Sequence, residues 1–167
     1  VAARLAPEKG IDLAIEAAAL SGVPLRVAGE GPAAAELAEL AARSGAPVEF
    51  TGHLGRASLD RELAGAAMLL MPSRYHEFAG YSALEAMAAG VPVVASSLGA
   101  LPEIVARRRC VPPGDPAALA ARMTALWADP ELRRSDGDEL IARAREHHSE
   151  RAYVERLLAV YAGADTG

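Results

Sequence analysis

The chain has 167 residues, is 51% hydrophobic but only 4% aromatic, and carries a net charge of −5. That length suits a single domain (1–167) burying roughly 70% of the surface its unfolded chain exposes, with a core built from Ala, Val, Leu and Ile. Nucleic acid and acidic membranes are held through dense Lys and Arg fields, so this acidic balance argues against either as a general partner. No stretch of about 18 apolar residues and no signal peptide is present, and Cys110 is solitary, so no disulfide framework exists. A cytoplasmic location is the expectation, with membrane contact through a missing partner domain left open.

Val1-Ala2-Ala3 reads as the tail of a strand whose beginning is absent, so a fragment of a longer protein is expected. Gly10 to Leu20 reads as a helix, Leu25 to Ala28 as a strand, and Pro32 to Arg43 as a helix with Pro in its first turn. Val48 to Thr51 is a short strand, and Ser58 to Ala66 a helix capped by Ser58. Met68-Leu69-Leu70-Met71 is apolar without alternation and stops at Pro72, the pattern of a strand buried on both faces. A helix from Ser82 and a strand at Val93-Val94-Ala95 follow. Asp115-Pro116 and Asp129-Pro130 each set an N-cap before a helix-starting Pro, so helices are expected over 117–127, 131–148 and 151–162. Strands alternating with helices predict an α/β fold with a Rossmann-like parallel sheet flanked by helices.

The loop after the 68–71 strand opens at the carboxyl edge of the sheet, where ligands of open α/β folds collect and where a helix start favours an anion. Backbone amides near Ala79, Gly80 and Tyr81 are placed to face phosphate oxygens. Glu77 and Glu85, eight positions apart, suit sugar and ribose hydroxyls, because carboxylates accept strongly. Each also has a plainer reading: Ser82-x-x-Glu85 is a capping box, and Glu77 a solvated loop acid. Lys9 is the only lysine among 17 basic residues, with a solvated helix-start role as its plain alternative. Arg107-Arg108-Arg109, the only basic run, reads as a solvated loop, with an anionic acceptor or lipid headgroup as the alternative.

Two rivals compete. Gly29-x-Gly31-x-x-Ala34 with Glu49 twenty residues on is a weak dinucleotide fingerprint, since Glu49 sits inside its strand. A hydrolase is supported less, because His53, His76, His147 and His148 show no ligand spacing and no Gly-x-Ser-x-Gly occurs. His147-His148 reads as solvated.

Pro72-Ser73, Glu77, Gly80 and Glu85-Ala86-Met87-Ala88-Ala89-Gly90-Val91-Pro92 resemble the Glu-x7-Glu signature of retaining GT-B glycosyltransferases of family 4, the glycosyl transferases group 1 family. Arg4-Leu5-x-x-Glu8-Lys9-Gly10, Ala28-Gly29-Glu30-Gly31-Pro32, Phe50-Thr51-Gly52, Leu101-Pro102-Glu103-Ile104-Val105 and Val111-Pro112-Pro113-Gly114-Asp115 extend the match along nearly the whole chain.

The resemblance implies the C-terminal, donor-binding half of a GT-B fold. It implies transfer of a hexose-type sugar from a nucleotide diphosphate to an acceptor hydroxyl with retention, and an N-terminal acceptor-binding domain of the same parent chain as partner. Arg4 and Lys9 carry over as the grip on the diphosphate, and with Glu77 they are the catalytic candidates. Gly29, Phe78, Ala79, Gly80, Tyr81 and Glu85 are the donor-binding candidates, with the base held near the backbone of His53 and Leu54. No cofactor and no metal are implied, only a UDP- or GDP-sugar substrate with UDP favoured; a non-catalytic nucleotide-sugar binding module is the alternative. Departures from the family pattern are Phe78-Ala79 in the acidic loop, Ala3 before Arg4, and an Ala106 to Cys110 segment that is short and lacks the expected Gly.

Overall fold

A computed structural model describes residues 1–163. A 3₁₀ turn at Pro7–Lys9 leads into α1 (Ile11–Ser21), β1 (Leu25–Ala28), α2 (Ala34–Ser44), β2 (Val48–Gly52), α3 (Arg56–Ala64), β3 (Leu69–Met71) and α4 (Tyr81–Ala88). Then come β4 (Val93–Ser96), α5 (Leu101–Val105), β5 (Cys110–Val111) and a helical tail of α6 (Pro116–Ala128), α7 (Pro130–His147) and α8 (Glu150–Tyr161). Among the described residues the strands form two parallel sheets, β1-β2 and β3-β4-β5. Val1 to Ala3 lies beside β1 through a single parallel bridge, Ala2 to Ala28.

The unalternated 68–71 run follows from the packing. Leu70, Val94 and Val111 enter a core shared with α1 and α6, whereas Leu69, Val93 and Ala95 enter the opposite core shared with α4, α5 and α7. A sheet covered on both faces needs apolar side chains at consecutive positions. In α1, Ala14, Ala17 and Ala18 are fully buried beside Ile11 and Ile15, so small residues let the helix lie close to the sheet and to α6. Each fully buried Ile or Leu contributes roughly 1.5–3 kcal/mol.

The tail follows its predicted caps. Asp115 Oδ1 accepts from the Ala118 N–H at 2.9 Å, and Asp129 Oδ1 from the Glu131 and Leu132 N–H groups at 3.0 and 2.9 Å.

Two expectations need correction here. The helix placed at 58–66 is α3 and begins at Arg56 behind Gly55, whose extended backbone starts it with no side-chain cap, so Ser58 is not its cap. The short α5 and β5 had no reading of their own in the sequence. Arg109 is not solvated: only 1% of it is exposed, and it pairs with Asp136 on α7 at 2.7 Å.

Ala106 is the one non-glycine residue with positive φ among the described residues, at φ 71 and ψ 136, in the segment that lacks the glycine the resemblance leads one to expect. Side chains rarely tolerate this backbone region, and holding one there costs about 1–3 kcal/mol; glycine gives back about 0.5–1 kcal/mol in unfolded-state entropy. Ala106→Gly is therefore expected to stabilise the fold by about 1 kcal/mol, raising Tm by roughly 2–4 °C in a thermal melt. A lowered Tm would show that Ala106 is at ease where it stands.

His148 is half-buried at the end of α7, with its Nε2 lacking any hydrogen-bond partner, which corrects its reading as solvated. Burial lowers its pKa, and the neighbouring Arg143, Arg156 and His147 charges lower it further. The folded state thus favours neutral imidazole, and the unfolded state binds more protons below the ordinary value near 6.5. Stability is expected to be whole above that value and to fall with pH below it until the depressed folded pKa is passed. Urea melts across pH 5 to 8 should show a shallower decline for His148→Gln, and parallel curves would remove His148 as the cause.

Candidate functional site

Three tethers bring the first loop to the sheet edge after β3. Gly10, in left-handed backbone, ends the Pro7–Lys9 turn packed against the Pro72 carbonyl. The Arg74 N–H donates to the Glu8 carbonyl at 2.9 Å, and the Arg74 guanidinium forks onto both Asp12 oxygens at 2.5 Å. Bidentate Arg–carboxylate geometry fixes orientation as well as distance. On the far side the Ala100 N–H donates to the Glu77 carbonyl at 2.9 Å.

Lys9 and Glu77 meet as a result. Lys9 Nζ donates to Glu77 Oε1 at 2.6 Å, and the Ser73 hydroxyl donates to the same oxygen at 2.9 Å. The side chains of Lys9 and Glu77 are 26% and 14% exposed, so the pair sits in a recess rather than in bulk water. Glu77 is therefore neither a freely solvated acid nor an unengaged acceptor.

The recess is a cleft of about 300 Å³ between the first loop and the start of α4, lined by Arg4, Lys9, Glu77 and residues 78–82. Gly80, the N-cap of α4, is left-handed at φ 54, and a Cβ there would press on Ile104 Cδ1 at 3.0 Å. Glycine is thus demanded both by backbone and by space. The first amides of α4 have no carbonyl one turn back to bond, and the residues that carry them, Tyr81 and Ser82, line the same cleft as the two cations. Arg4 is the looser partner: its side chain is 62% exposed and it pairs with Glu8. Glu8 itself is held below the usual carboxylate range by its own backbone hydrogen bond and the Arg4 and Lys9 charges.

Glu85 stands apart from this cleft. It is ion-paired with Arg56 at the start of α3, two residues past Leu54, and this contact raises the Arg56 pKa. The capping box is not formed: the Ser82 hydroxyl donates to the Ala2 carbonyl at 3.2 Å, and α4 starts behind Gly80. Gly29, His53 and Leu54 are neighbours of this second group, since the Gly29 N–H donates to the Gly52 carbonyl at 2.8 Å. So the structure gathers Arg4, Lys9, Glu77, Phe78, Ala79, Gly80 and Tyr81 around one cleft. It leaves Gly29, His53 and Leu54 just past the ends of β1 and β2, and Glu85 within α4 against Arg56. Sequence reasoning missed Ser73 as a Glu77 partner and Arg56 as the Glu85 partner.

The dinucleotide fingerprint has another cause. A Cβ at Gly29 would fall 1.9 Å from the Ala3 carbonyl oxygen, so that glycine answers to close chain packing. Glu49 pairs across β1 and β2 with Arg26 at 3.0 Å.

The sequence pattern of the glycosyl transferases group 1 family matches residues 1–145. The chain belongs to that family. It is 38% identical over 138 residues to a GDP-mannose-dependent alpha-(1-6)-phosphatidylinositol dimannoside mannosyltransferase of Mycobacterium tuberculosis, covering 78% of this chain and 35% of the relative. It is 36% identical over 169 residues to a D-inositol 3-phosphate glycosyltransferase of Streptomyces avermitilis, covering 89% of this chain and again 35% of the relative. This glycosyltransferase domain thus spans about a third of the length of these curated relatives. Its fold matches that of HepE from Anabaena, solved with UDP, with a TM-score of 0.88 and 24% identity over 97% of this chain and 47% of that one.

Proposed function

We propose that the domain binds a nucleoside-diphosphate sugar and that its parent transfers a hexose-type sugar to an acceptor hydroxyl with retention, an N-terminal domain of the same parent holding the acceptor. The convergence of Arg4, Lys9, Glu77 and the amino end of α4 on one cleft carries this reading. The diphosphate lies between the two cations and the α4 amides, and Glu77 accepts hydrogen bonds from the sugar. The ribose reaches Glu85, and the base lies by His53 and Leu54 just past the end of β2.

In transfer, the bond from the anomeric carbon to the β-phosphate oxygen breaks and its electron pair stays on that oxygen. The acceptor oxygen bonds the same carbon from the same face, and its proton passes to the departing phosphate. Arg4, Lys9 and the helix end stabilise the charge growing on the diphosphate, the kind of preorganised electrostatics that dominates many barriers. A helix end contributes only about 0.3–1 kcal/mol at a surface and up to about 2 when partly buried, so the side-chain cations supply the larger share. Arg offers a planar fork and Lys a compact charge with three donors.

A thermal-shift panel of UDP-glucose, GDP-mannose and NAD tests the reading. At least one sugar nucleotide is expected to raise Tm, and Glu85→Ala to abolish the rise. Stabilisation by NAD alone would overturn it. Sugar transfer is then assayed with the full-length parent, and a folded parent that binds donor yet never releases its sugar would leave binding without catalysis.

A further inference from the structure

We propose that Phe78, braced by Tyr75 and joined by Tyr81, forms an aromatic platform at the mouth of the donor cleft, and that it takes the C–H face of a ring-shaped polyhydroxy acceptor, a sugar or a cyclitol. Three of the chain's seven aromatic residues (two Phe, four Tyr and one Trp) fall between positions 75 and 81. Tyr75, Phe78 and Tyr81 are 48%, 81% and 76% exposed, and none of them belongs to either core. Packing therefore does not account for them. Exposed apolar groups gathered in one place mark contact with another molecule.

The platform is held in place. Gly99, left-handed at φ 56, lies so close to the loop that a Cβ there would fall 2.6 Å from the Glu77 carbonyl oxygen, and the Ala100 N–H donates to that carbonyl at 2.9 Å. The Phe78 and Tyr75 rings meet edge to face, with centroids 6.0 Å apart and planes at 72°, a favoured arrangement for aromatic pairs. Tyr81 follows at the first position of α4. Phe78 and Tyr81 both line the cleft while most of each residue stays open, so the rings stand at its mouth and not on its floor.

That position points to the occupant. Glu77 sits in the recess, its side chain 14% exposed, and holds the donor sugar in the reading above, on which the platform's role depends. Phe78 is the next residue, one Cα step of about 3.8 Å along, and it stands in the open. What lies against Phe78 is thus the molecule that must come within bonding reach of the transferred sugar. The chemistry of the mouth narrows its class. Aromatic faces are electron-rich, and the C–H bonds on one face of a sugar or cyclitol ring carry the complementary partial charge. The hydroxyls of such a ring need the polar partners that Arg4, Lys9 and Glu77 place in the same cleft. A hydrocarbon chain would lie against charged groups that it cannot pair. The loop's backbone serves the donor, and its side chains serve the acceptor.

The test uses the full-length parent with methyl α-D-glucopyranoside, methyl α-D-mannopyranoside, myo-inositol and open-chain glycerol as probes. Saturation-transfer NMR with irradiation of aromatic protons reads binding with and without UDP or GDP, and kinetics with the stabilising sugar nucleotide read KM for each probe. At least one ring is expected to bind, and glycerol to bind far more weakly. Phe78→Ala should weaken that ring's binding about 10-fold, within the range for a base stacked on an aromatic side chain. Phe78→Tyr should restore it and Phe78→Leu should not, and Tyr75→Ala, which removes only the brace, should weaken it less. Unchanged ring affinity in Phe78→Ala overturns the proposal: a lost Tm rise with sugar nucleotide would then assign the ring to the donor, and a lowered Tm of the free parent would assign it to a neighbouring domain. Wild-type affinity in Phe78→Leu also overturns it, as does a parent that takes no ring or takes glycerol equally well. If no sugar nucleotide raises Tm, the donor reading falls, while ring binding without nucleotide still decides the platform.

Discussion

Lys9→Met is expected to abolish donor-induced stabilisation and to lower sugar transfer by the full-length parent about 10²- to 10³-fold, the range seen when one preorganised charge-stabilising donor is lost. The ammonium has three N–H donors, and one is engaged by Glu77, which leaves two for phosphate oxygens without breaking the pair. Methionine keeps the length and apolar stem of the side chain and removes only the charge. Glu77 then keeps the Ser73 hydroxyl but loses its counter-ion in a recess, a cost to stability of about 1–3 kcal/mol. Two measurements separate these effects. A urea melt reads the stability loss, and donor titration of the still-folded variant reads the loss of binding. Lys9→Arg keeps charge but replaces a compact group by a wider fork, so it should recover binding only in part. Donor binding by Lys9→Met at wild-type affinity would show that the diphosphate lies elsewhere.

The parts of this molecule that were readable in the sequence are those whose cause is local. The β3 run, the Asp115 and Asp129 caps and the alternation of strands with helices each depend on neighbours within a few residues. Lys9 and Glu77 lie 68 positions apart, and nothing in their spacing announces a contact. Loop chemistry and the lone lysine pointed to both residues and the family resemblance gave them roles, but their direct pairing beside Ser73 arises from how the Pro7–Lys9 turn packs on Pro72. Arg56 was hidden by a misplaced helix start: Ser58 is a favoured capping type, whereas Gly55 begins α3 by backbone conformation alone. The consequence reached the site, because Glu85 then had a capping box as its local alternative, while its partner belongs to a different helix. The missing glycine near Ala106 was visible as a departure, and the structure shows its effect as a strained backbone. Arg109 failed for the opposite reason. Arginine is almost never buried without partners, and its partners stand 27 and 30 positions downstream, so three consecutive arginines looked like a wet surface.

Those distant partners make Arg109→Met the most destabilising single change expected in the fold. The Arg109 Nε donates to Asp136 Oδ1 at 2.7 Å, Nη1 to the Val105 carbonyl at 3.0 Å, and Nη2 to Glu139 Oε2 at 2.9 Å. The guanidinium thereby ties the end of α5 to α7. Burial pulls its pKa down against the opposing pull of Asp136, the mark of a charge held in place by its partners. Removing one member of a buried pair leaves the other charge unpaired, at a cost of about 3–5 kcal/mol, a large fraction of the 5–15 kcal/mol that holds an ordinary domain together. Asp136 is 8% exposed and its Oδ2 has no partner even now, so it has little means of finding a substitute. The double variant Arg109→Met with Asp136→Leu should recover most of the loss, because apolar replacement of a whole buried pair is often neutral or better. The effect also reaches the cleft. Leu101 and Ile104 of α5 fill the space where a Cβ at Gly80 would stand, at the start of α4, so loosening α5 removes the wall behind the helix end that lines the cleft with the two cations. Arg109→Met at a temperature where it remains folded should therefore bind donor more weakly, and the double variant should regain affinity along with stability. If the double variant is as unstable as Arg109→Met alone, the arginine acts through its backbone contact to Val105, and the pair with Asp136 is incidental.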